Sequence, residues 1–445
     1  MKRNSRCFRQ TSRRPSRRLF LKAACAISAG TLVGVGPLGT RAVHSGASEA
    51  IKLGVVGCGG RGTGAVIDAL SADPEVHLVA MADLFEDQLQ RSLHTLSAGA
   101  SDDSIRRRCQ VAESGRFVGF DAYRQLLSSD VDAVILGTPA GFRPLHFDAA
   151  IKAGKHVFAE KPIAVDAPGV RSILNADALA RQKHLVAAVG FQDRHNSCCL
   201  ATMEKIRGGA VGEIQRMEAC WRSQGLWVRS RQPAQTEMEY QIRNWLYFVW
   251  LSGDIIVEQL THLLNICNWA KDAAPVRATG RGGRQQRQGP DHGEIFDHFE
   301  VNYTYEDGTT LAAEVSLAAE NESKIALIIH GEHGVAEPLK GTIAGKNSWT
   351  FGGTRDNPYR VQHRSFFAAI RQGVEFNEVV PAAATTMTAI MGRMAAYSAH
   401  EVTMDEAVNS RETFAPRTYA FRDDAPPTLP DKFGDYVVPA RGRTA

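Results

Sequence analysis

The sequence predicts an α/β protein: a doubly wound parallel sheet in the first half, then an α+β region with a mainly antiparallel open sheet. Three observations carry this. Between Ile51 and Gln192, short apolar runs without polar alternation, such as Val131–Pro139, alternate with segments of helical spacing; strands buried on both faces read this way. Past Gln192 the runs alternate between apolar and polar residues, as in Glu213–Ser223. The length, 445 residues, exceeds one ordinary core, so two domains are expected.

The chain opens on a basic leader. Residues 1–47 hold ten Lys or Arg and no acid, which leaves 42 basic against 48 acidic residues in the rest, although the whole chain is formally +4. A mildly acidic body offers no broad basic field for nucleic acid. A twin arginine in Ser16–Lys22 (SRRLFLK) precedes a weakly apolar run of 13 residues. That is the pattern of a Tat export signal, and it falls short of the ~20 residues of a spanning helix. Passage through the Tat translocon to a periplasmic or otherwise exported location is expected, with cleavage near Ala42 or Ala47, or retention as an anchor. Of eight cysteines, Cys7 and Cys25 lie in the leader, and the others lack CxxC spacing. They read as free thiols or small apolar residues rather than a disulfide framework. No cluster has metal-ligand spacing, so no metal is expected.

After a Gly/Ser/Ala-rich linker, residues 48–192 read as a nucleotide-binding domain. The apolar run from Ile51 breaks into glycines and a helical stretch follows; strands end near Asp83, Gly137 and Ala159. The helix over 166–182 leads to one more strand within 184–192. Residues 193–445 read as the second domain. His298–Ala319 forms a hairpin turning at Asp307-Gly308, Lys324–Pro338 adds strand and turn, and helices lie around His363–Gly373 and Thr385–Glu401. The tail after Pro416 is polar and Pro-rich, and is expected to wrap the surface.

Chemistry concentrates at the strand ends. Gly57-x-Gly59-x-x-Gly62 follows a strand and opens a helix, with Gly60 and Arg61 in the same turn. Glycines there tighten the turn, let the backbone approach a pyrophosphate and seat the helix on the sheet, which is the dinucleotide fingerprint of a Rossmann fold. Asp83 ends the next strand, placed to accept from a ribose hydroxyl and to repel a 2′-phosphate, so NAD is expected over NADP. Thr138, Pro139 and His146 border the nicotinamide half. Phe158–Ala164 (FAEKPIA) brings Glu160 and Lys161 to the same crevice, where the lysine can donate to a substrate oxygen, and Pro162 fixes the chain's exit. Glu258 and His262, spaced i,i+4, share one helical face, where the carboxylate can orient the imidazole for proton transfer. Upstream, Arg243, Asn244, Trp245 and Tyr247 offer hydroxyl partners and stacking faces for a sugar.

Five elements together resemble the Gfo/Idh/MocA oxidoreductases, the family of glucose–fructose oxidoreductase and inositol dehydrogenase: GVVGCGGRG with Asp83, GTP with His146, AGKHVFAEKP, VGFQDRH, and SGDIIVEQLTHLLNICNW. They run from Ile51 to Trp269. The resemblance implies that Lys161 lies at the reacting centre and that Arg194, of VGFQDRH, belongs to the substrate side. The family's helix pattern Asp-x-Gly-x-His-x-x-Asp is met here by Glu258, Leu260, His262 and Asn265, and an arginine common in the family is replaced by Asp193. It further implies hydride transfer between a nicotinamide cofactor and a sugar, a cyclitol or a derivative, with Lys161, His262 and Glu258 catalytic, and a homo-oligomer formed through the C-terminal sheet. Because export makes free NAD scarce, the cofactor is expected to be tightly bound. Two alternatives stand beside it: a redox-neutral NAD-dependent glycosidase or lyase of the same fold, and a non-catalytic sugar-binding homologue.

Overall fold

The structure, a computed structural model, describes residues 50–98, 102–318, 322–376 and 378–438. The leader, with its twin arginine, lies outside the described residues.

Six strands build the first sheet: β1 (Ile51–Val56), β2 (Val76–Asp83), β3 (Arg116–Val118), β4 (Ala133–Leu136), β5 (His156–Ala159) and β6 (Ala187–Val189). All pair in parallel, in the order β3-β2-β1-β4-β5-β6. The order reverses between β1 and β4, so a crevice opens at the carboxyl ends of these strands, where doubly wound sheets bind ligands. Every residue of β4 is buried, as an apolar run covered on both faces requires. The covering helices include α1 (Gly60–Ala72), α2 (Arg143–Lys152) and α3 (Ala167–Gln182). Asp166 caps α3 by accepting from the Gly169 amide.

The second sheet has nine strands: β7 (Ile214–Ser223), β8 (Arg277–Gly283), β9 (His298–Thr304), β10 (Thr310–Leu317), β11 (Lys324–Gly331), β12 (Gly334–Glu337), β13 (Thr342–Gly345), β14 (Trp349–Thr350) and β15 (Val402–Thr403). Their order is β14-β13-β12-β11-β7-β10-β9-β8-β15. The β9–β10 hairpin turns at Asp307-Gly308, where Gly308 has φ +88. The sheet is antiparallel except where β7 meets β10. In β9 and β10 buried and exposed residues alternate, so one face packs on helices and the other meets solvent.

One further helix joins the halves. Helix α4 (Val379–Ser398) is buried almost throughout and packs on β8, β9 and α3. From it the buried Arg393 guanidinium donates to the Val165 and Gly253 carbonyls, 2.8 and 2.9 Å away. It thereby ties the chain just after Lys161 to the chain just before Glu258. The six cysteines of the described residues are all free thiols.

Candidate active site

A cleft of about 760 Å³ lies between the carboxyl edge of the parallel sheet and the segments leading into and out of the second sheet. Its glycine turn is shaped by contact. Gly57 has φ +94, and a Cβ on Gly62 would stand 1.8 Å from the Gly57 carbonyl oxygen, so the turn closes only without a side chain. At Gly59 and Gly60 a Cβ would meet open space, and the first turn of α1 has no side-chain cap. Its free N–H groups therefore face the cleft, an arrangement suited to a pyrophosphate. The Asp83 carboxylate accepts from the Cys58 amide (2.6 Å) and the Phe85 amide (2.8 Å), joining the turn to the end of β2. These residues fit a dinucleotide such as NAD.

At the opposite end of the cleft, Thr138 and Pro139 follow β4. Thr138 Oγ1 lies 3.2 Å from His146 Nδ1, and His146 lies parallel to Phe142 and against Tyr123. Burial, reinforced by the Arg143 charge, drives its pKa down to about 3, so the ring is neutral. Arg143 escaped the sequence reading. It is almost fully buried and donates to the Thr138 and Pro162 carbonyls, clasping the ends of β4 and β5 together. Its signal was a charged residue between apolar neighbours at the start of α2. Glu160 is buried below the cleft, with Arg61 Nε 3.0 Å from Oε1; burial raises its pKa against the pull of Arg61, Arg143 and Lys161. Arg61 in turn stacks on Tyr359, which also lines the cleft.

Lys161 closes this end. Its peptide bond to Pro162 is cis. Nζ donates to the Glu258 carbonyl oxygen at 2.6 Å and to the Glu258 carboxylate at 2.9 Å, with the two side chains 13% and 14% exposed. Glu258 sits in a π-turn, Ile256–Leu260, that leads into helix Thr261–Lys271. Asp254 (φ +73) fixes the start of that turn: its carbonyl accepts from the Glu258 amide, and its carboxylate from the Ile255 and Phe296 amides and the Tyr397 hydroxyl. The expected Glu258–His262 pairing is therefore corrected. The wider turn re-aims the carboxylate, and Lys161 takes it. His262 lines the cleft, stacked on Trp221 and edge-on to Phe191, and burial with the nearby Lys161 charge holds its pKa well below the usual range.

Four expected substrate contacts are engaged elsewhere. Arg194 is turned into the core, donating to Asn265 Oδ1 (2.8 Å) and lying over Trp269; burial lowers its pKa to about 10. Asn244 is buried, accepting from the Arg229 amide and donating to the Asp291 carbonyl. Arg243 does line the cleft, but at the Asp83 end: it pairs with Asp87 and Glu239 and covers Phe85 at 3.8 Å. Tyr247 is also fully buried. Trp245 remains in the cleft wall, 5.9 Å from the ring of Trp227.

The tail does more than cover surface. Tyr419 lines the cleft, against Phe120 and Phe142, and Phe421 stacks on Phe85, two residues past Asp83, and lies tilted against Phe120. The tail is anchored on both sides of this crossing. The Phe414 amide donates to Asp166, and the Tyr436 hydroxyl donates to Glu237 in a buried contact.

Fold and cleft together define a dinucleotide-binding protein whose cleft ends at a lysine, a glutamate and a histidine. The chain belongs to the Gfo/Idh/MocA oxidoreductase family. Residues 51–191 match the oxidoreductase family with an NAD-binding Rossmann fold, and residues 200–337 match the GFO/IDH/MocA C-terminal domain. It is 28% identical over 40% of its length to a dTDP-3,4-didehydro-2,6-dideoxy-alpha-D-glucose 3-reductase of Streptomyces violaceoruber, an alignment spanning 45% of that protein. It is 24% identical over 73% of its length to inositol 2-dehydrogenase of Rhizobium meliloti, 90% of which is covered. GenD2 from gentamicin A biosynthesis, solved in complex with NAD, shares the fold over 83% of this chain and 99% of its own (TM-score 0.60, 20% identity).

Proposed function

We propose that the protein is an NAD-dependent oxidoreductase acting on a ring CH–OH group of a sugar, a cyclitol or a derivative. The observation that carries this is the meeting of Lys161, Glu258 and His262 in the cleft that begins at the uncapped N-terminus of α1. Bound NAD supplies the hydride acceptor or donor. The chain's own residues do the rest. Lys161 Nζ donates to the substrate oxygen and stabilises charge developing there. Glu258 holds that ammonium in place. His262, kept neutral by burial, accepts the hydroxyl proton at Nε2, since Nδ1 is the nitrogen buried away from the cleft. Trp227 and Trp245 give flat apolar faces for a sugar ring. Arg61 and Arg243 are already matched by Glu160, Asp87 and Glu239, so neither is free to meet a 2′-phosphate.

The tail supports a resident cofactor. Phe421 packs on Phe85 at the Asp83 end and Tyr419 lines the cleft against Phe120 and Phe142, so exchange requires lifting an anchored segment. Such a cofactor is restored in place, by a second substrate or within a redox-neutral cycle ending in release of a sugar. Denaturing the purified protein and identifying the nucleotide tests residence: NAD or NADH is expected. Absorbance at the reduced-cofactor band, followed during addition of sugars and cyclitols, then separates the routes. Accumulating signal marks net oxidation, and sugar release without signal marks the neutral cycle. A protein that reacts with none of them and binds sugar unchanged would leave the binding-protein reading in front.

Export and assembly belong to the same proposal. The twin arginine of the leader directs the folded protein to the Tat translocon, and Arg17→Lys with Arg18→Lys is expected to stop export while cytoplasmic activity persists. The open face of the nine-stranded sheet carries pairs of opposite charge, Arg222–Glu314 and Arg281–Glu300. A second copy meeting this face can exchange those partners, and the mass of the particle in solution tests it.

A further inference from the structure

We infer that Asp193, not Glu258, is the carboxylate that positions His262 and sustains its basicity, forming a second acid–base couple beside Lys161–Glu258. This rests on the oxidoreductase reading above. His262 Nδ1 is buried and has no hydrogen-bond partner among the described residues, while Asp193 Oδ2 stands 3.9 Å from it. A small turn of either side chain brings the pair to hydrogen-bonding distance. The two side chains are only 12% and 18% exposed. Glu258 is committed to Lys161 through two contacts. Asp193 has no such commitment: its only donor is the Gln192 side-chain amide at 3.3 Å, and no Lys or Arg pairs with it among the described residues. A buried carboxylate and a buried imidazole nitrogen, each short of a partner, face each other just behind the cleft.

The groups around the couple are few. His262 faces Lys161, Trp221 and Phe191. Asp193 faces Gln192, and its field reaches Cys199 and Tyr359. Burial raises the Asp193 pKa to about 6, so the carboxylate is ionised at neutral pH. The step balances simply. The substrate hydroxyl proton moves to His262 Nε2 and the carbonyl forms as hydride leaves the carbon for the nicotinamide nucleotide. The imidazolium's Nδ1 proton is shared with Asp193. Lys161 alone would repel that imidazolium; the Asp193 charge offsets it.

The test compares Asp193→Asn and Asp193→Glu with the wild type in the NAD-loaded protein. Asp193→Asn is expected to lower kcat about 10–100-fold, less than the ~10²–10⁴-fold of an acid–base group itself because Asp193 acts through His262, with nucleotide content and Tm unchanged, and Asp193→Glu to restore part of it. In the wild type, kcat is expected to fall as pH drops through about 6; in Asp193→Asn that limb is expected to move to lower pH by at least one unit. A readout free of activity is the imidazole ¹⁵N spectrum, with the His262 signals assigned through His262→Ala. The Nδ1 shift of His262 is expected to change in Asp193→Asn. Unchanged Nδ1 shift and unchanged pH limb would overturn the assignment while leaving the oxidoreductase reading intact. An inactive wild type whose Nδ1 shift still responds to Asp193→Asn would keep the couple and remove the reaction.

Discussion

Lys161 Nζ reaches both the main-chain oxygen and the carboxylate of Glu258, at 2.6 and 2.9 Å, across 97 residues of sequence. The pair joins the end of β5 to the π-turn before the His262 helix, and Arg393 braces the same two segments from behind. The first prediction follows from this geometry. Lys161→Ala is expected to lower turnover by ~10²–10³, as for a lost donor to a developing oxyanion, and to leave nucleotide content unchanged. Glu258→Gln is expected to cost turnover about 10-fold and stability about 1–3 kcal/mol, because a largely buried ammonium loses its counter-charge while keeping its carbonyl partner. Turnover and Tm measured on the same preparations check both.

The glycine turn separates folding from binding. Gly62→Val is expected to lower Tm and to yield protein without nucleotide, since even its Cβ collides with the Gly57 carbonyl. Gly60→Ala has open space for its methyl, so Tm is expected to hold while nucleotide affinity falls. Equal Tm losses in the two variants would refute this placement of the turn.

The glycine turn, Asp83 and Lys161 were legible in the sequence because their meaning is local: each sits at the end of a strand run, where the backbone alone brings it to the crevice. The fold class was legible for the same reason, in the change from unbroken to alternating apolar runs. Arg194, Arg243 and Asn244 were not. A polar side chain beside aromatic residues reads as a sugar contact, yet each is consumed by a partner distant in sequence: Asn265, Asp87 and the Asp291 carbonyl. The i,i+4 spacing of Glu258 and His262 presumed a regular helix, and the π-turn with Lys161 re-aimed the carboxylate. Asp193 stood out only as a departure from the family's arginine; its approach to His262 comes through tertiary packing, which the sequence does not show.

Nucleotide choice is expected to follow Asp83. Asp83→Ala removes the acceptor expected to meet the ribose and also frees the Cys58 and Phe85 amides. A loss of about 1–3 kcal/mol in NAD binding is expected for poorly paired groups, with NADP gaining relative to NAD. Titration of the nucleotide-free protein with both dinucleotides measures it, and an unchanged NAD-to-NADP ratio would reject the role.

Stability is expected to depend on pH through Glu294. Burial raises its pKa to about 7, against hydrogen bonds from the Val249 amide and the Thr428 hydroxyl that lower it, with Asp254 adding to the rise. Because the folded value exceeds the unfolded one, its contribution is complete below the ordinary glutamate range. It is lost as pH rises towards about 7. Glu294→Gln is expected to flatten this fall and to gain roughly 1–3 kcal/mol at pH 8 relative to the wild type. Urea melts at pH 5 and pH 8 decide it; an equal fall in both proteins assigns the effect elsewhere.

The last prediction concerns retention of the cofactor. Phe421 stacks on Phe85 with ring centres 5.8 Å apart and lies tilted against Phe120 at 4.9 Å, and Tyr419 reaches Phe120 and Phe142. These rings come from a tail pinned at Asp166 and Glu237, so they form a strap along the cleft from the Asp83 end to Phe142 rather than a fringe. Ending the chain after Pro416 removes the strap together with Tyr436, whose loss strips Glu237 of a buried partner and lowers Tm as well. Phe421→Ala is the cleaner variant, since this ring is 41% exposed and its truncation opens no core cavity. It is expected to leave Tm within about 1–2 °C, as a surface change of a few tenths of a kcal/mol does. Nucleotide release is expected to quicken by ~10-fold, the equivalent of one lost aromatic contact of about 1.4 kcal/mol. Stopped-flow displacement of NADH fluorescence by excess NAD reads the rate directly. Equal release from Phe421→Ala, the truncated chain and the wild type would show that the glycine turn and Asp83 alone hold the nucleotide, and that the tail serves only the fold.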